Sequence, residues 1–217
     1  RRRRAGPRMR KPDLLALAEE ERADLLALLG DLTTEQWETR SLCSKWRVRD
    51  VATHVVSYEE LSAAALVGTF LRGGLRVNKV NDVALNRYRS LENDAVVDLL
   101  ARNLRPRGLT SGFGGAIALT DGTIHHQDIR RALDLPRTIP ETRLRPVLDF
   151  ALRAPTLTAK RNSNGLTLTA TDIKWTAGDG PEVIGTGEAL LMAVTGRPQA
   201  LDELGGPGLD TLRQRVS

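Results

Sequence analysis

Three side chains in this sequence have the types and spacing to hold a metal ion: His54, Asp121 and His125. Asp121 and His125 are four residues apart, so on a helix they share one face about a turn apart. His54 falls within a separate helical pattern, between Val51 and Tyr58. In a bundle core, one histidine from one helix and a carboxylate–histidine pair from another supply three ligands to one ion. Two neutral imidazoles and a carboxylate, with positions left open, describe a catalytic zinc site or an open iron or nickel site. Such an ion lowers the pKa of a bound thiol or water and polarises a carbonyl. The competing reading is plainer. A histidine on an apolar helix face is commonly a satisfied core residue, and an i, i+4 Asp–His pair is worth only about 0.2–0.5 kcal/mol to a helix. Spacing alone leaves both open.

Other groups offer less. Asp128 is three residues after His125 and can accept the imidazole N–H that a metal leaves free, fixing the ligand tautomer; pairing with Arg130 or Arg131 would explain it equally well. Arg197, in Gly-Arg-Pro, sits at a helix exit where it could steer a substrate carboxylate across a cleft. A cation at a helix C-terminus is also favoured by the macrodipole alone. Cys43 has no basic helix terminus to activate it and reads as structural. Trp37, Trp46 and Trp175 read as packing residues.

These groups need elements to position them. Leu14, Leu15, Ala18, Leu25, Leu26, Leu28 and Leu29 recur at helical spacing, with Glu19 to Arg22 on the wet side. Thr33 and Gln36 form a capping box before a short turn around Trp37. A second long helix starts near Val48 and runs toward Phe70, stopped by Gly73 and Gly74. A third pattern spans Asn78 to Asn103, closed by Pro106. After a glycine-rich stretch, Ala116 to Leu133 and Glu141 to Ala154 complete the set. Short links between them argue for an antiparallel bundle. Beyond Pro155, Leu166 to Ala170 alternates with period two as a strand should. A Gly178–Pro181 turn, a short run at Glu182 to Ile184 and a helix over Thr186 to Thr195 follow. The expected fold is α+β, with a basic, disordered leader at 1–11, a helical bundle at 12–154 and a small α+β unit at 155–217.

Composition narrows the partners. The 217 residues carry a formal charge of +5, and Arg1, Arg2, Arg3, Arg4 and Arg8 account for all of it. With 4% aromatics and no basic stripe interleaved with rings, nucleic acid is not an expected partner. No run of about 18 apolar residues suits a membrane span, and no secretory h-region follows the arginines. A single cysteine excludes an internal disulfide and suits a reducing compartment. A cytoplasmic monomer or homodimer acting on small molecules is the expectation.

The run from Ser41 through Cys43, Trp46 and Asp50 to His54 resembles the N-terminal signature of the mycothiol-dependent maleylpyruvate isomerase family, within the DinB-like bundles. His125-His-Gln-Asp128 is similar to that family's second metal motif. The segments Thr171–Trp175, Gly178–Pro181, Gly185–Leu191 and Gly196–Leu204 resemble its C-terminal domain. The resemblance implies a DinB-like four-helix bundle followed by a small domain similar to a sterol carrier protein. It implies a divalent metal, typically zinc, held by His54, Asp121 and His125, with mycothiol or a similar thiol as cosubstrate. Isomerase or thiol S-transferase chemistry on a small electrophilic, anionic substrate follows. Asp121 departs from the family's glutamate, being one methylene shorter. His126 replaces a glycine and is expected to be exposed or to lie just outside the ligands. Arg47 stands where the family has a capping Thr or Ser, at a cost of about 1 kcal/mol. The alternative is a non-catalytic ligand-binding module with a degraded metal site.

Overall fold

The computed structural model describes residues 12–43, 45–59, 85, 86, 88 and 90–216. The arginine leader, the continuation of the second helix toward Phe70 and most of the stretch expected to open the third lie outside the described residues.

Helix α1 (Leu14–Gly30) is opened by Asp13, whose carboxylate accepts from Leu15 N at 3.1 Å and Ala16 N at 3.2 Å. The Thr33–Gln36 capping box opens α2 (Thr34–Glu38) and buries Trp37. In α3 (Val48–Val56) the Arg47 side chain makes no cap bond; instead Asp50 accepts from Arg47 N at 2.9 Å, half of a capping box. The missing Thr or Ser is thus partly offset. Next come α4 (Asn93–Arg102), a kinked 3₁₀ segment (Gly108–Gly115), α5 (Ala116–Ala132) and α6 (Glu141–Ala151). Helices α1 and α3 each pack on both α4 and α5, closing a four-helix bundle, and α6 lies outside against α5.

A short helix α7 (Ala159–Asn162) leads into a three-stranded sheet of β1 (Thr167–Ala170), β2 (Thr176–Gly178) and β3 (Glu182–Gly185). The order is β2–β1–β3, with β1 antiparallel to β2 and parallel to β3. The chain must cross the start of β1 within the three residues after β2. Gly180 makes this crossing at φ +139, where a Cβ would lie 2.3 Å from Gly165 O. Helix α8 (Gly187–Val194) covers the sheet, and α9 (Leu209–Val216) ends the fold. One core cluster runs from Ala118, Leu119 and Leu144 into Leu168, Val183 and Leu190, so apolar packing is continuous across residue 155. A second gathers Leu25, Trp37, Val51, Val55 and Leu99. Among the described residues, no helix is long and apolar enough to cross a membrane.

One expectation for α1 fails. Glu21 and Arg22 are each only 1% exposed, not on a wet face. Arg22 donates to Asn103 O at 2.7 Å and to Glu59 Oε1 at 2.6 Å, while Glu21 meets the His126 imidazole of α5 and the Arg143 guanidinium of α6. Burial was possible because each charge found a partner.

The start of α5 depends on Gly115. Its φ is +101, and a Cβ there would lie 2.7 Å from Leu15 N and 2.8 Å from Leu14 C. This glycine lets α5 begin hard against the first turn of α1. Gly115→Ala should therefore destabilise the fold by about 2 kcal/mol or more, read as a lower urea midpoint at unchanged slope. An unchanged midpoint would mean that α1 yields without cost.

Candidate metal centre

Helix α3 brings His54 to its last turn, 4% exposed, facing the middle of α5. There Asp121 and His125 lie one turn apart as their spacing requires. Asp121 Oδ1 is 3.7 Å from His54 Nε2 and 3.5 Å from His125 Nε2. The three donor atoms all lie within 4.8 Å of one another. The two imidazoles meet edge to face, 4.9 Å between centroids and 88° between planes. The Trp46 indole packs on both, at 4.8 Å from His54 and 5.9 Å from His125.

These separations bear on the two readings. At 3.5 and 3.7 Å the contacts are too long for strong hydrogen bonds. Donors sharing one ion at about 2.0–2.2 Å in tetrahedral geometry sit about 3.3–3.6 Å apart. Nor is His54 a satisfied core histidine: its buried Nδ1 has no hydrogen-bond partner among the described residues. The donor set is compatible with a divalent ion: the Asp121–His125 separation of 3.5 Å falls within the range for shared donors and the Asp121–His54 separation of 3.7 Å just beyond it. The Asp121 side chain is 41% exposed, so the cluster opens to solvent on that side.

The electrostatics favour positive charge beside Asp121. Burial disfavours a charged Asp121, but the positive charge of His125 and His54 outweighs it and holds the carboxyl well below its usual range. Burial likewise opposes a charged His125, yet the charge of Asp121 and the bond to Asp128 lift it to about 10. Burial and the Asp121 charge push the Tyr58 hydroxyl up. In the chain without an ion, the positive charge beside Asp121 is a proton on His125.

Behind His125, Asp128 is fully buried, and its Oδ2 lies 2.9 Å from His125 Nδ1. The arginines offered as alternative partners go elsewhere. Arg130 donates to His126 Nε2 and Leu135 O, and Arg131 to Glu188 and Glu203. Arg197 does approach a carboxylate, but it is the chain's own: Nε donates to Asp128 Oδ1 at 2.8 Å and Nη2 to Oδ2 at 2.6 Å.

Two placements differ from expectation. His126 is neither exposed nor beside the ligands. It is fully buried on the α1 side of α5, with Nδ1 2.9 Å from Glu21 Oε1 and Nε2 accepting from Arg130 Nε at 2.9 Å. Since arginine can only donate, Nε2 is the acceptor and the ring is neutral. Burial pushes its pKa down to about 4, against the opposing pull of the Glu21 bond. Cys43 also belongs to the centre's surroundings. Its thiol donates to Asp128 Oδ2 at 3.0 Å and lies 3.8 Å from His125 Nδ1 and 3.6 Å from Arg197 Nη2. Cys43, His125 and Asp128 form a second cluster of donor atoms, but the Arg197 guanidinium already supplies a cation there. No helical period signals Cys43, because loop geometry brings it in: Ser41 Oγ accepts from Cys43 N at 3.1 Å, and Cys43 O accepts from Trp46 N at 2.8 Å.

Comparison with known proteins gives a consistent picture. The family model for the mycothiol maleylpyruvate isomerase N-terminal domain matches residues 18–130. No curated protein matches the chain significantly. Among solved structures, the crystal structure of the mycothiol-dependent maleylpyruvate isomerase is similar at 17% identity and a TM-score of 0.53, covering 89% of this chain and 91% of that one. A mutant of that enzyme with one histidine changed to alanine gives the same values of 17%, 0.53, 89% and 91%. At this identity the likeness establishes a shared fold, the α+β DinB-like architecture.

Proposed function

From the premise that this chain belongs to the mycothiol maleylpyruvate isomerase N-terminal domain family, we propose that it is a metal-dependent enzyme. It uses a low-molecular-weight thiol of the mycothiol type for isomerisation or S-transfer on a small, electrophilic, anionic substrate. The observation that carries this reading is the convergence of His54, Asp121 and His125 at 3.5 and 3.7 Å. These residues would hold a divalent ion, zinc first, with nickel or iron as the other candidates for two imidazoles and a carboxylate.

Such an ion supplies Lewis acidity, favouring the thiolate over the thiol and polarising a carbonyl. The chain's own groups do the rest. With an ion in place of the His125 proton, His54 and His125 would present neutral nitrogens from two helices, so the site exists only when α3 and α5 are packed. Asp128 accepts a hydrogen bond from His125 Nδ1–H and thereby aims Nε2 toward Asp121 and His54. Trp46 walls off one side of both rings, and half-exposed Asp121 marks the side open to thiol and substrate. With Asp121 and Asp128 ionised, Arg197 cationic and a divalent ion bound, the centre carries one net positive charge, which suits anionic reactants. In this reading 12–154 carries the donors and 155–217 brings Arg197 to them.

Elemental analysis of protein purified without chelator should find about one zinc, nickel or iron per chain. The loaded protein should then accelerate thiol-dependent turnover in a screen of activated alkenes and other electrophiles. No metal, even after reconstitution, would sink the enzyme reading and leave a binding module. Metal without turnover would point to a structural ion.

A further inference from the structure

We propose that Arg197 is a positioning residue: it locks His125 through Asp128, so that the C-terminal unit sets how tightly the centre holds its ion. The proposal rests on the reading of His54, Asp121 and His125 as metal ligands. Its grounds are geometric. Arg197 follows Gly196, whose φ of +95 ends α8, and its Nη1 donates to Thr195 O at 2.8 Å, tying the guanidinium to its own turn. From there Nε and Nη2 engage both oxygens of Asp128, at 2.8 and 2.6 Å, in the two-pronged arrangement that arginine alone provides. Asp128 is 0% exposed and Arg197 only 13%, so the fork is shielded from water.

Oδ2 of Asp128 is also the partner of His125 Nδ1 at 2.9 Å. A carboxylate held by a guanidinium can only accept, so the imidazole donates from Nδ1 and keeps its Nε2 lone pair for the ion. The Cys43 thiol, 3.0 Å from the same oxygen, closes the remaining side. Gripping a substrate carboxylate with the same fork would require Arg197 to abandon a fully buried anion. Its influence on the centre therefore runs through Asp128 to His125, across 69 residues of sequence.

The test is cobalt(II) binding by the full chain, followed by visible absorption in competition with a chelator. Asp128→Asn and Arg197→Ala should each weaken cobalt binding about 10–100-fold and shift the absorption band. The double variant should be no weaker than the worse single one, because both act along one chain of contacts. Arg197→Lys keeps the charge but not the fork and should fall between wild type and Arg197→Ala. Wild-type affinity and spectrum in Arg197→Ala would overturn the proposal, as would additive losses in the double variant. Should Arg197→Ala fail to fold, as circular dichroism of the metal-free proteins would reveal, Arg197→Lys decides: unchanged affinity overturns the proposal. A wild-type chain that binds no cobalt would sink the metal reading itself, and the proposal with it.

Discussion

His54→Ala and His125→Ala proteins are expected to emerge without stoichiometric metal, and Asp121→Asn to bind it at least about a hundredfold more weakly than wild type. The last exceeds the roughly 10–100-fold typical of losing an outer contact, because Asp121 contributes both a donor oxygen and the only formal negative charge among the three ligands. Asparagine matches its volume, and with the side chain 41% exposed the helix loses little stability, so affinity can be read without unfolding. Asp121→Glu is the informative companion. Glutamate is the family's usual residue, but here the aspartate oxygen already stands 3.7 and 3.5 Å from the two imidazoles. An added methylene would carry the carboxylate past that point, so Asp121→Glu should bind more weakly than wild type and more tightly than Asp121→Asn. Metal content and chelator competition measure all four variants. Wild-type affinity in Asp121→Asn would show that the carboxylate is a surface acid and not a ligand.

The pairing of Asp121 with His125 is legible in the sequence alone. The i, i+4 pair in α5 needed only a helical period, and that helix lies between a glycine-rich stretch and Pro136, so its expected span of Ala116 to Leu133 differs by one residue from Ala116–Ala132. The Thr33–Gln36 box and the alternation at Leu166 to Ala170 were equally local signals. What sequence could not carry were pairings set by long-range packing. Glu21 and Arg22 read as solvated because charges usually are, yet the partners that permit their burial lie far away: His126 is 105 residues from Glu21 and Asn103 is 81 from Arg22. Cys43 met Asp128 across 85 residues through a loop that has no period. The parallel register of β1 and β3, Thr167 opposite Glu182, depends on Gly178 and Gly180, where a Cβ would lie 2.1 Å from Leu166 O and 2.3 Å from Gly165 O. In each case the local pattern was sound and a distant group changed its meaning.

Glu21→Gln should cost about 3 kcal/mol and lower the melting temperature by about 6–12 °C for a chain of this size. The carboxylate is 1% exposed and accepts from His126 Nδ1 at 2.9 Å, Arg143 Nη1 at 2.8 Å and Arg137 Nη1 at 3.3 Å. Burial opposes its charge, but the His126 bond and the Arg137 charge hold it ionised below the usual range. Glutamine keeps the shape and removes the charge, so the Arg137 and Arg143 side chains, 10% and 9% exposed, face each other without their shared anion. Asp24, 2.7 Å from Arg143 Nη2, offsets part of this, which places the cost at the lower end for a broken buried pair. Thermal unfolding followed by circular dichroism measures it. A melting temperature within 2 °C of wild type would mean that both guanidinium groups swing out to water at little cost. Cobalt affinity, by contrast, should stay within about threefold of wild type, because His126, which Glu21 of α1 contacts, leaves α5 in a different direction from His125. Loss of both properties together would instead show that the seat of α5 on α1 sets the spacing of the ligands.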